Sequence, residues 1–315
     1  MKINKYSQQV KLLLSVLPFV AIHKAFALKG GTAINFYELD MPRLSVDIDL
    51  VYIPIQPRIE TLSNISESFN LISKAIKEKL GYAIEKEYFK YKDAVGNYRV
   101  TEYVIRLMIK SQNVVVKIEV SPTMRGTCYP VREMTPSNSV YEQFSSAVKI
   151  QVISYEELYA GKIAATLARQ HPRDLFDIKM LFENGGITPN MMEALIVDIS
   201  SNAKPMSDLL DPIPRDIKKA FISKFRGMPF RNVSVEELEK TRSVLIKTVH
   251  EKLTNNQKLF LLSLKENNPK YDLLSIPNVQ ELPAVRWKLM NINKMSVEVH
   301  QKSIDKLRKV LSLKS

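Results

Sequence analysis

The chain has 315 residues, of which 45% are hydrophobic, so it can bury a substantial core in one or two domains and disorder is not expected. Its formal net charge of +13 favours a polyanionic partner, and nucleic acid is preferred to a membrane because no apolar run is long enough to span a bilayer. The single cysteine, Cys128, excludes an internal disulfide framework and a cysteine-built zinc site, and the four histidines show no ligand spacing.

The first predicted element is an apolar segment over residues 12–22. Followed by Ala25, Phe26 and Ala27, it imitates a secretory signal peptide with a small-x-small cleavage site. The same residues are also typical of a helix that packs its apolar face on a sheet. We favour the helix, since His23 and Lys24 interrupt the apolar region.

Two adjacent glycines, Gly30 and Gly31, predict a turn that comes next in the chain. Glycine adopts backbone conformations closed to other residues and lets a phosphate approach the main chain. Thr32 is expected to begin a short helix that runs to Tyr37, and the free N–H groups at its start favour anions.

The strand predicted after this helix carries two carboxylates. Val46, Ile48 and Leu50 alternate with Asp47 and Asp49, which sends the apolar side chains to one face and both acids to the other. Aspartate is a poor strand former, whereas one or two carboxylates with substrate phosphates are the usual ligands of magnesium. The alternative is an edge strand with solvated acids. Together with the glycines, the pair favours a site for a nucleoside triphosphate and Mg²⁺, or Mn²⁺ in its place.

The pattern then predicts a long helix over residues 58–80, which Gly81 ends. Three strands are predicted to follow, over residues 82–91, 98–109 and 113–120. On the last strand Lys117 and Glu119 share the polar face. Glu119 is a candidate third carboxylate beside Asp47 and Asp49, either as a metal ligand or as a proton acceptor. An ion pair with Lys117 or Lys110 is an equal alternative. Residues 122–146, which begin at Pro122 and include Pro130 and Pro136, are expected to form a strap that leaves the domain.

A helix is predicted to begin near Ser154, which has capping-box spacing to Glu157, and to contain Lys162. A further helix opens at Pro172 and places Asp174 and Asp177 one turn apart on one face. Taken alone, Lys162 would point to water, and the acids would form a first turn favoured by the helix dipole, with Asp174 paired to Arg169 or Arg173.

Beyond Gly186 the sequence is helical and basic. Apolar spacing predicts helices of a bundle over residues 191–199, 217–225, 238–253, 258–264 and 297–313. Cations gather in its middle at Lys218, Lys219, Lys224, Arg226 and Arg231, as a solvated face or a surface that follows phosphates. Trp287 is a packing residue or a stacking platform for a base.

Two of these regions together resemble a known family. Residues 26–35 with 43–50, and residues 157–165 with 169 and 172–178, are similar to the motifs of the AbiEii/AbiGii toxin nucleotidyltransferases. These belong to the polymerase-beta-like minimal nucleotidyltransferase superfamily and include the MenT-type toxins. Phe176 stands where the family pattern has tyrosine, and the resemblance covers roughly the first 185 residues.

The resemblance implies an α+β fold. A nucleotidyltransferase domain over residues 1–150, a mixed sheet flanked by helices, would precede a helical domain over residues 151–315 that carries Lys162, Asp174, Asp177 and the basic surface. Asp47 and Asp49 would hold magnesium, Lys162 would lie against the triphosphate, and Asp177, Asp174 and Glu119 are further candidate catalytic residues. The residues expected to border the nucleotide are Lys29, Gly30, Gly31, Thr32, Arg43 and Ser45.

The implied reaction is transfer of NMP from an NTP to the 3′ end of an RNA, with tRNA as the acceptor for MenT-type relatives. The implied setting is a bacterial abortive-infection or toxin–antitoxin pair, with a cognate antitoxin as partner and a cytoplasmic location, where the triphosphate is. Two alternatives stay open. One is nucleotidylation of a protein hydroxyl, which the basic helical half disfavours. The other is a non-catalytic RNA-binding or antitoxin-binding module, which leaves the Asp47/Asp49 pair unexplained.

Overall fold

The structure is a computed structural model, and it describes residues 5–92 and 96–313. It divides into two compact units, Met1–Ile153 with Gly227–Phe230, and Ser154–Arg226 with Arg231–Ser315. Among the described residues no helix combines the length and apolar character that crossing a membrane requires. We describe each unit separately.

The first unit is built on a seven-stranded mixed sheet within its described residues. The strands are β1 (Phe26–Lys29), β2 (Asp47–Tyr52), β3 (Ala83–Lys92), β4 (Tyr98–Ser111), β5 (Val114–Val120), β6 (Arg132–Met134) and β7 (Ile150–Val152). Their order in the sheet is β3-β4-β5-β2-β1-β7-β6. The pairs β2–β5 and β1–β7 are parallel and the others antiparallel, which makes the sheet mixed. The predicted α+β class is confirmed.

Helices of the first unit pack on this sheet. They are α1 (Lys5–Ala21), the short α2 (Gly30–Ala33), which continues as a π-helical turn (Ile34–Glu38), α3 (Arg58–Leu80) and α4 (Asn138–Phe144). Helix α1 contains most of the apolar segment 12–22 and packs on β5, where the Gln9 side-chain amide donates to the Val115 carbonyl at 2.9 Å. Helix α3 has the predicted bounds and ends at Gly81, whose φ of +68° closes it.

Alternation of apolar and polar residues accounts for how β5 sits in the sheet. Val114, Val116, Ile118 and Val120 are buried, and the residues between them are partly exposed, as predicted. Because β5 lies between β4 and β2, its polar face places Glu119 opposite Asp49 and Lys117 opposite Asp47.

The expected strap over residues 122–146 is wrong in part, because it contains β6 and α4. Pro130 and Pro136 lie on either side of β6, so neither removes a backbone donor from the strand itself. Here β6 is the edge strand and pairs with β7, with Arg132 opposite Val152 and Met134 opposite Ile150. Strand β7 was not predicted, and it places residues 150–152 in the first unit.

The second unit is helical throughout its described residues apart from turns and loops. Its helices are α5 (Tyr155–Arg169), α6 (Pro172–Glu183), α7 (Pro189–Ser201), α8 (Met206–Leu210), α9 (Lys218–Lys224), α10 (Val235–Lys252), α11 (Asn255–Lys265), α12 (Pro283–Ile292) and α13 (Val297–Val310). The two predicted starts at Ser154 and Pro172 are confirmed, and the Ser154 hydroxyl accepts from the Glu157 N–H at 3.1 Å. Helices α8 and α12 had no prediction.

Candidate active site

The diglycine turn lies directly against the acidic strand β2. Gly30 has a φ of +73°, and a β-carbon at this position would stand 2.6 Å from Oδ2 of Asp49. A β-carbon at Gly31 would meet Nη2 of Arg43 at 2.7 Å and Oγ of Ser45 at 2.9 Å. A side chain at either position would displace these neighbours, and at Gly30 the positive φ adds backbone strain, so the two glycines let the turn lie against Asp49, Arg43 and Ser45.

Helix α2 begins at Gly30 rather than at Thr32, which corrects the prediction. Lys29 is still extended, and the freedom of the glycine backbone lets the chain turn at once. Thr32 is fully buried, and its hydroxyl donates to the Asp47 carbonyl oxygen at 2.6 Å and lies 3.0 Å from the Ser45 hydroxyl. Thr32 therefore fixes the turn to the start of β2.

The two aspartates share one face of β2. Ile48 and Leu50 are fully buried on the opposite face, whereas Asp47 and Asp49 are partly exposed, so the predicted alternation is confirmed. The strand begins at Asp47. Desolvation raises the pKa of the Asp49 carboxyl above its ordinary value, the charge of Asp47 raises it further, and Lys117 opposes both effects. A cation bound beside both carboxylates would lower the pKa of Asp49 again, because an opposite charge favours the ionised form.

Asp49 belongs to a row of charged side chains that crosses five strands of the sheet, its own strand β2 included. Lys29 on β1 and Glu119 on β5 are its partners in the register, Arg106 on β4 is opposite Glu119, and Glu87 on β3 is opposite Arg106. Side chains in direct register on one face of a sheet are neighbours. The strand register therefore brings Lys29, Asp49 and Glu119 together, and the position of Glu119 beside Asp49 is the one that its candidate role as a third carboxylate requires.

Of the two ion-pair partners predicted for Glu119, Lys117 contacts it. The other, Lys110, pairs with Glu85 instead. Nζ of Lys117 lies 2.6 Å from Oε1 of Glu119, and Nε of Arg106 donates to Oε2 at 2.8 Å. Although desolvation opposes it, these two cations hold the pKa of Glu119 below its ordinary value. Arg106 was not predicted as a site residue, because only the pairing of β4 with β5 places it opposite Glu119.

A segment remote in sequence supports the entry to β2. The N–H of Leu44 donates to the carbonyl of Met228 at 2.9 Å, and Arg43 forms an antiparallel bridge with Pro229. Arg43 is 2% exposed and donates through Nη1 to the Leu44 carbonyl at 2.9 Å. No local pattern predicted that residues 227–230 would join the first unit in this way.

The second group of predicted residues forms a buried ionic cluster in the second unit. Nζ of Lys162 on α5 lies 2.9 Å from Oδ1 of Asp174 and 3.0 Å from Oδ2 of Asp177, both on α6. Arg169 also contacts Asp174, from Nε to Oδ2 at 2.6 Å. Burial opposes ionisation of Asp174, but Lys162 and Arg169 hold its pKa well below the ordinary range. Lys162 does not point to water: its side chain is 7% exposed.

His171 caps the helix that carries these aspartates. Its Nδ1 accepts from the Arg173 N–H at 3.1 Å. Desolvation, with the nearby charge of Arg173, lowers the pKa of His171 to about 4, so the ring is neutral at physiological pH. A neutral imidazole serves as the acceptor that the first turn of α6 needs.

The basic cluster and the tryptophan lie on different helices of the second unit. All five cations of the cluster, Lys218, Lys219, Lys224, Arg226 and Arg231, are exposed, and Arg231 pairs with Glu183. Trp287 is partly exposed on α12, whereas its neighbour Lys288 is buried and donates to the carbonyls of Asn202 and Lys204 at 2.7 and 2.9 Å. Lys288 is therefore a packing residue.

Asp47 and Asp49 are two oxygen-bearing groups on one face, against a turn that a phosphate can approach, and they fit a hard divalent cation completed by phosphate oxygens. In the part of the chain that the structure describes, no group of three or more histidine, cysteine, aspartate or glutamate side chains is arranged to hold a metal ion. A cation held by Asp47 and Asp49 would complete its coordination with water or with oxygens of a substrate.

Comparison with known proteins gives the family of the chain. The family model described as nucleotidyl transferase AbiEii toxin, type IV TA system, matches residues 11–289. No curated protein matches the chain. Among solved structures, the nucleotidyltransferase toxin MenT4 of Mycobacterium tuberculosis H37Rv is similar at 13% identity and a TM-score of 0.44, over 99% of this chain and 94% of that chain.

The family match shows that the molecule is a nucleotidyltransferase. More particularly, the chain belongs to the AbiEii family of nucleotidyltransferase toxins from type IV toxin–antitoxin systems. The predicted family and enzyme class are confirmed. The match extends far beyond residue 185, where the recognisable motifs ended.

Proposed function

We propose that the protein transfers NMP from an NTP, with Mg²⁺ held by Asp47 and Asp49, to the 3′ hydroxyl of an RNA. The observation that carries the proposal is the contact between the turn and the acidic strand, where Gly30 leaves no room for a side chain beside Asp49. That contact supports a triphosphate lying along the backbone of Gly30 and Gly31 with its oxygens towards the acids.

Magnesium would neutralise charge on the triphosphate, and Mn²⁺ would serve the same purpose. The chain's own residues position the reactants. The backbone of Gly30 and Gly31 approaches the phosphates, and Lys29 supplies positive charge in the same row as Asp49. Arg43, Ser45 and Thr32 brace the turn from inside the unit, because all three are buried.

The reaction is an in-line displacement. The acceptor hydroxyl forms a bond to the α-phosphorus, the bond from that phosphorus to the bridging oxygen breaks, pyrophosphate leaves, and the hydroxyl proton passes to solvent. Positioning and charge neutralisation supply most of the catalysis in such transfers. The roles of Lys162, Asp174 and Asp177 stay a prediction. Their cluster holds α5 to α6, and contact of Lys162 with the leaving pyrophosphate would require its ammonium to leave this pair.

An RNA acceptor is supported by charge and exposed aromatic side chains. The net charge is +13, and the five cations of the basic cluster are exposed in the second unit. In the first unit, Tyr91 and Tyr98 near the ends of β3 and β4 are 47% and 71% exposed, and Arg99 is opposite Tyr91. Tyrosines interleaved with cations are typical of surfaces that bind single-stranded nucleic acid.

Within this proposal tRNA is the acceptor, the NTP is drawn from the cytoplasm, and a cognate antitoxin counters the toxin. The test is incubation of the protein with each α-³²P-labelled NTP, Mg²⁺ and total RNA, beside Asp47→Asn. We expect labelled RNA of tRNA size with the wild type and at least about a thousandfold less with Asp47→Asn, because the variant removes one of two metal-binding carboxylates. Label in protein would contradict an RNA acceptor, and no label with any NTP would contradict the transfer itself.

A further inference from the structure

The row of charges that crosses the first unit's sheet contains two adjacent carboxylates. Asp49 on β2 and Glu119 on β5 are direct partners in the parallel register, and like charges at such positions repel. Lys117 relieves that repulsion. Its Nζ lies 2.6 Å from Oε1 of Glu119 and 4.0 Å from Oδ1 of Asp49, so one ammonium serves both carboxylates.

Glu119 is engaged by cations on both of its oxygens. Lys117 contacts Oε1, while Nη2 of Arg106 lies 2.7 Å from Oε2 and Nε of the same guanidinium donates to that oxygen. This is a charge-assisted arrangement from two strands, and it fixes the carboxylate in place. Glu119 therefore acts as a positioning residue for Lys117.

A clamp of two divalent ions needs oxygen ligands for a second ion about 3.5–4 Å from the first. The carboxylate that would contribute such ligands beside Asp49 is Glu119, and the space between those two carboxylates contains the Lys117 ammonium. No three-carboxylate metal cluster is formed by the residues that the structure describes.

We infer that Lys117 takes the place of the second metal ion, so that the site binds a single divalent cation through Asp47 and Asp49. The inference rests on the metal site of the proposed function. The ammonium supplies a fixed positive charge on the Glu119 side of Asp49, and the divalent ion with its triphosphate is held on the Asp47 side. Lys117 thus sets the number of metal ions.

Metal stoichiometry tests the inference without any turnover. Mn²⁺ would be titrated into the full chain with a non-hydrolysable NTP analogue, and free Mn²⁺ read from its EPR signal. We expect one bound ion per chain for the wild type and for Lys117→Arg, which keeps the charge. For Lys117→Met we expect a second bound ion, and tighter binding of the first by about tenfold, because a positive charge has been removed close to it.

Lys110→Met is the matched control, since it removes one lysine from the same sheet and leaves the Asp49 carboxylate untouched. It should bind one ion with wild-type affinity. Two ions on the wild type would overturn the inference and leave the proposed function standing, and this measurement does not depend on any variant folding. A folded Lys117→Met that still binds one ion with unchanged affinity would also overturn it. A wild type that binds no ion would overturn the metal site of the proposed function as well.

Discussion

Among single residues, the site depends most on Gly30 and Gly31, where a side chain would displace its neighbours. Gly30 needs both its left-handed backbone conformation and the space beside Asp49. These requirements are separable because Gly81 has a similar φ of +68°, and a β-carbon there would have nothing within 4 Å. A substitution at Gly81 therefore measures backbone strain alone, whereas a substitution at Gly30 measures strain together with the contact to Asp49.

Gly30→Ala is expected to lose NMP transfer, and Gly81→Ala is expected to keep it. Both variants should be destabilised by about 1–2 kcal/mol, the cost of a left-handed alanine. Only at Gly30 does the new β-carbon also displace Asp49. Urea denaturation measures the loss of stability, and transfer of label from the NTP measures the activity. Equal activity in the two variants would show that the contact with Asp49 is unimportant.

Lys288, another single residue, gives a pH prediction. Desolvation, with the charge of Lys265, lowers its pKa to about 8. Between pH 8 and its unfolded value near 10.4 the unfolded chain holds the extra proton, so the free energy of unfolding should rise with pH in this window. We expect this rise to be larger in the wild type than in Lys288→Met by up to about 3 kcal/mol. Denaturation at a series of pH values measures the difference, and parallel curves would refute the assignment.

At the scale of the elements, ion pairs between side chains join α5 to α6 in addition to apolar contacts. Lys162 bridges Asp174 and Asp177, and Arg169 shares Asp174. Removing one partner of a buried ion pair leaves an uncompensated charge, which costs far more than losing a surface pair. The cluster thus fixes the position of the first turn of α6 against α5.

Lys162→Met should lower the free energy of unfolding by about 3–5 kcal/mol. The control is Lys179→Met on α6, whose ammonium pairs with Glu183 and Glu237 near the surface, and which should lose at most about 1 kcal/mol. Chemical denaturation separates the two. If Lys162→Met keeps its stability but loses transfer of label, the ammonium acts on the triphosphate, and its pairing with the aspartates is secondary.

For the molecule as a whole, the positive charge predicts how RNA binding responds to salt. Each phosphate contact to a single strand contributes about 0.7 to the slope of log affinity against log salt concentration. If Lys218, Lys219 and Lys224 follow the phosphates, changing all three to glutamine should reduce that slope by about 2. Filter binding of tRNA at several salt concentrations measures it.

The charge-matched control changes three exposed lysines that have carboxylate partners, Lys247, Lys302 and Lys306, to glutamine. It removes the same total charge, so a purely global field would lower the slope equally in both triple variants. A reduced slope in the α9 variant alone would locate the phosphate contacts.

Local sequence patterns were enough to locate the main elements and the polar face of the site. Alternation along 46–50 placed Asp47 and Asp49 together, the glycines marked the turn, and helical spacing predicted α3. Capping-box spacing at Ser154 and the proline at position 172 predicted where α5 and α6 begin. These features were predictable because the periods of strands and helices are short and can be read along the chain.

The partners of those residues, in contrast, became known only from the folded arrangement. Arg106 reaches Glu119 through the pairing of β4 with β5, residues 227–230 return to pair beside Arg43, and the ammonium of Lys162 lies between two aspartates of the next helix. Such pairings join residues far apart in the chain or on different elements. Their physical basis is the register of the sheet and the burial of charge, neither of which a local pattern encodes.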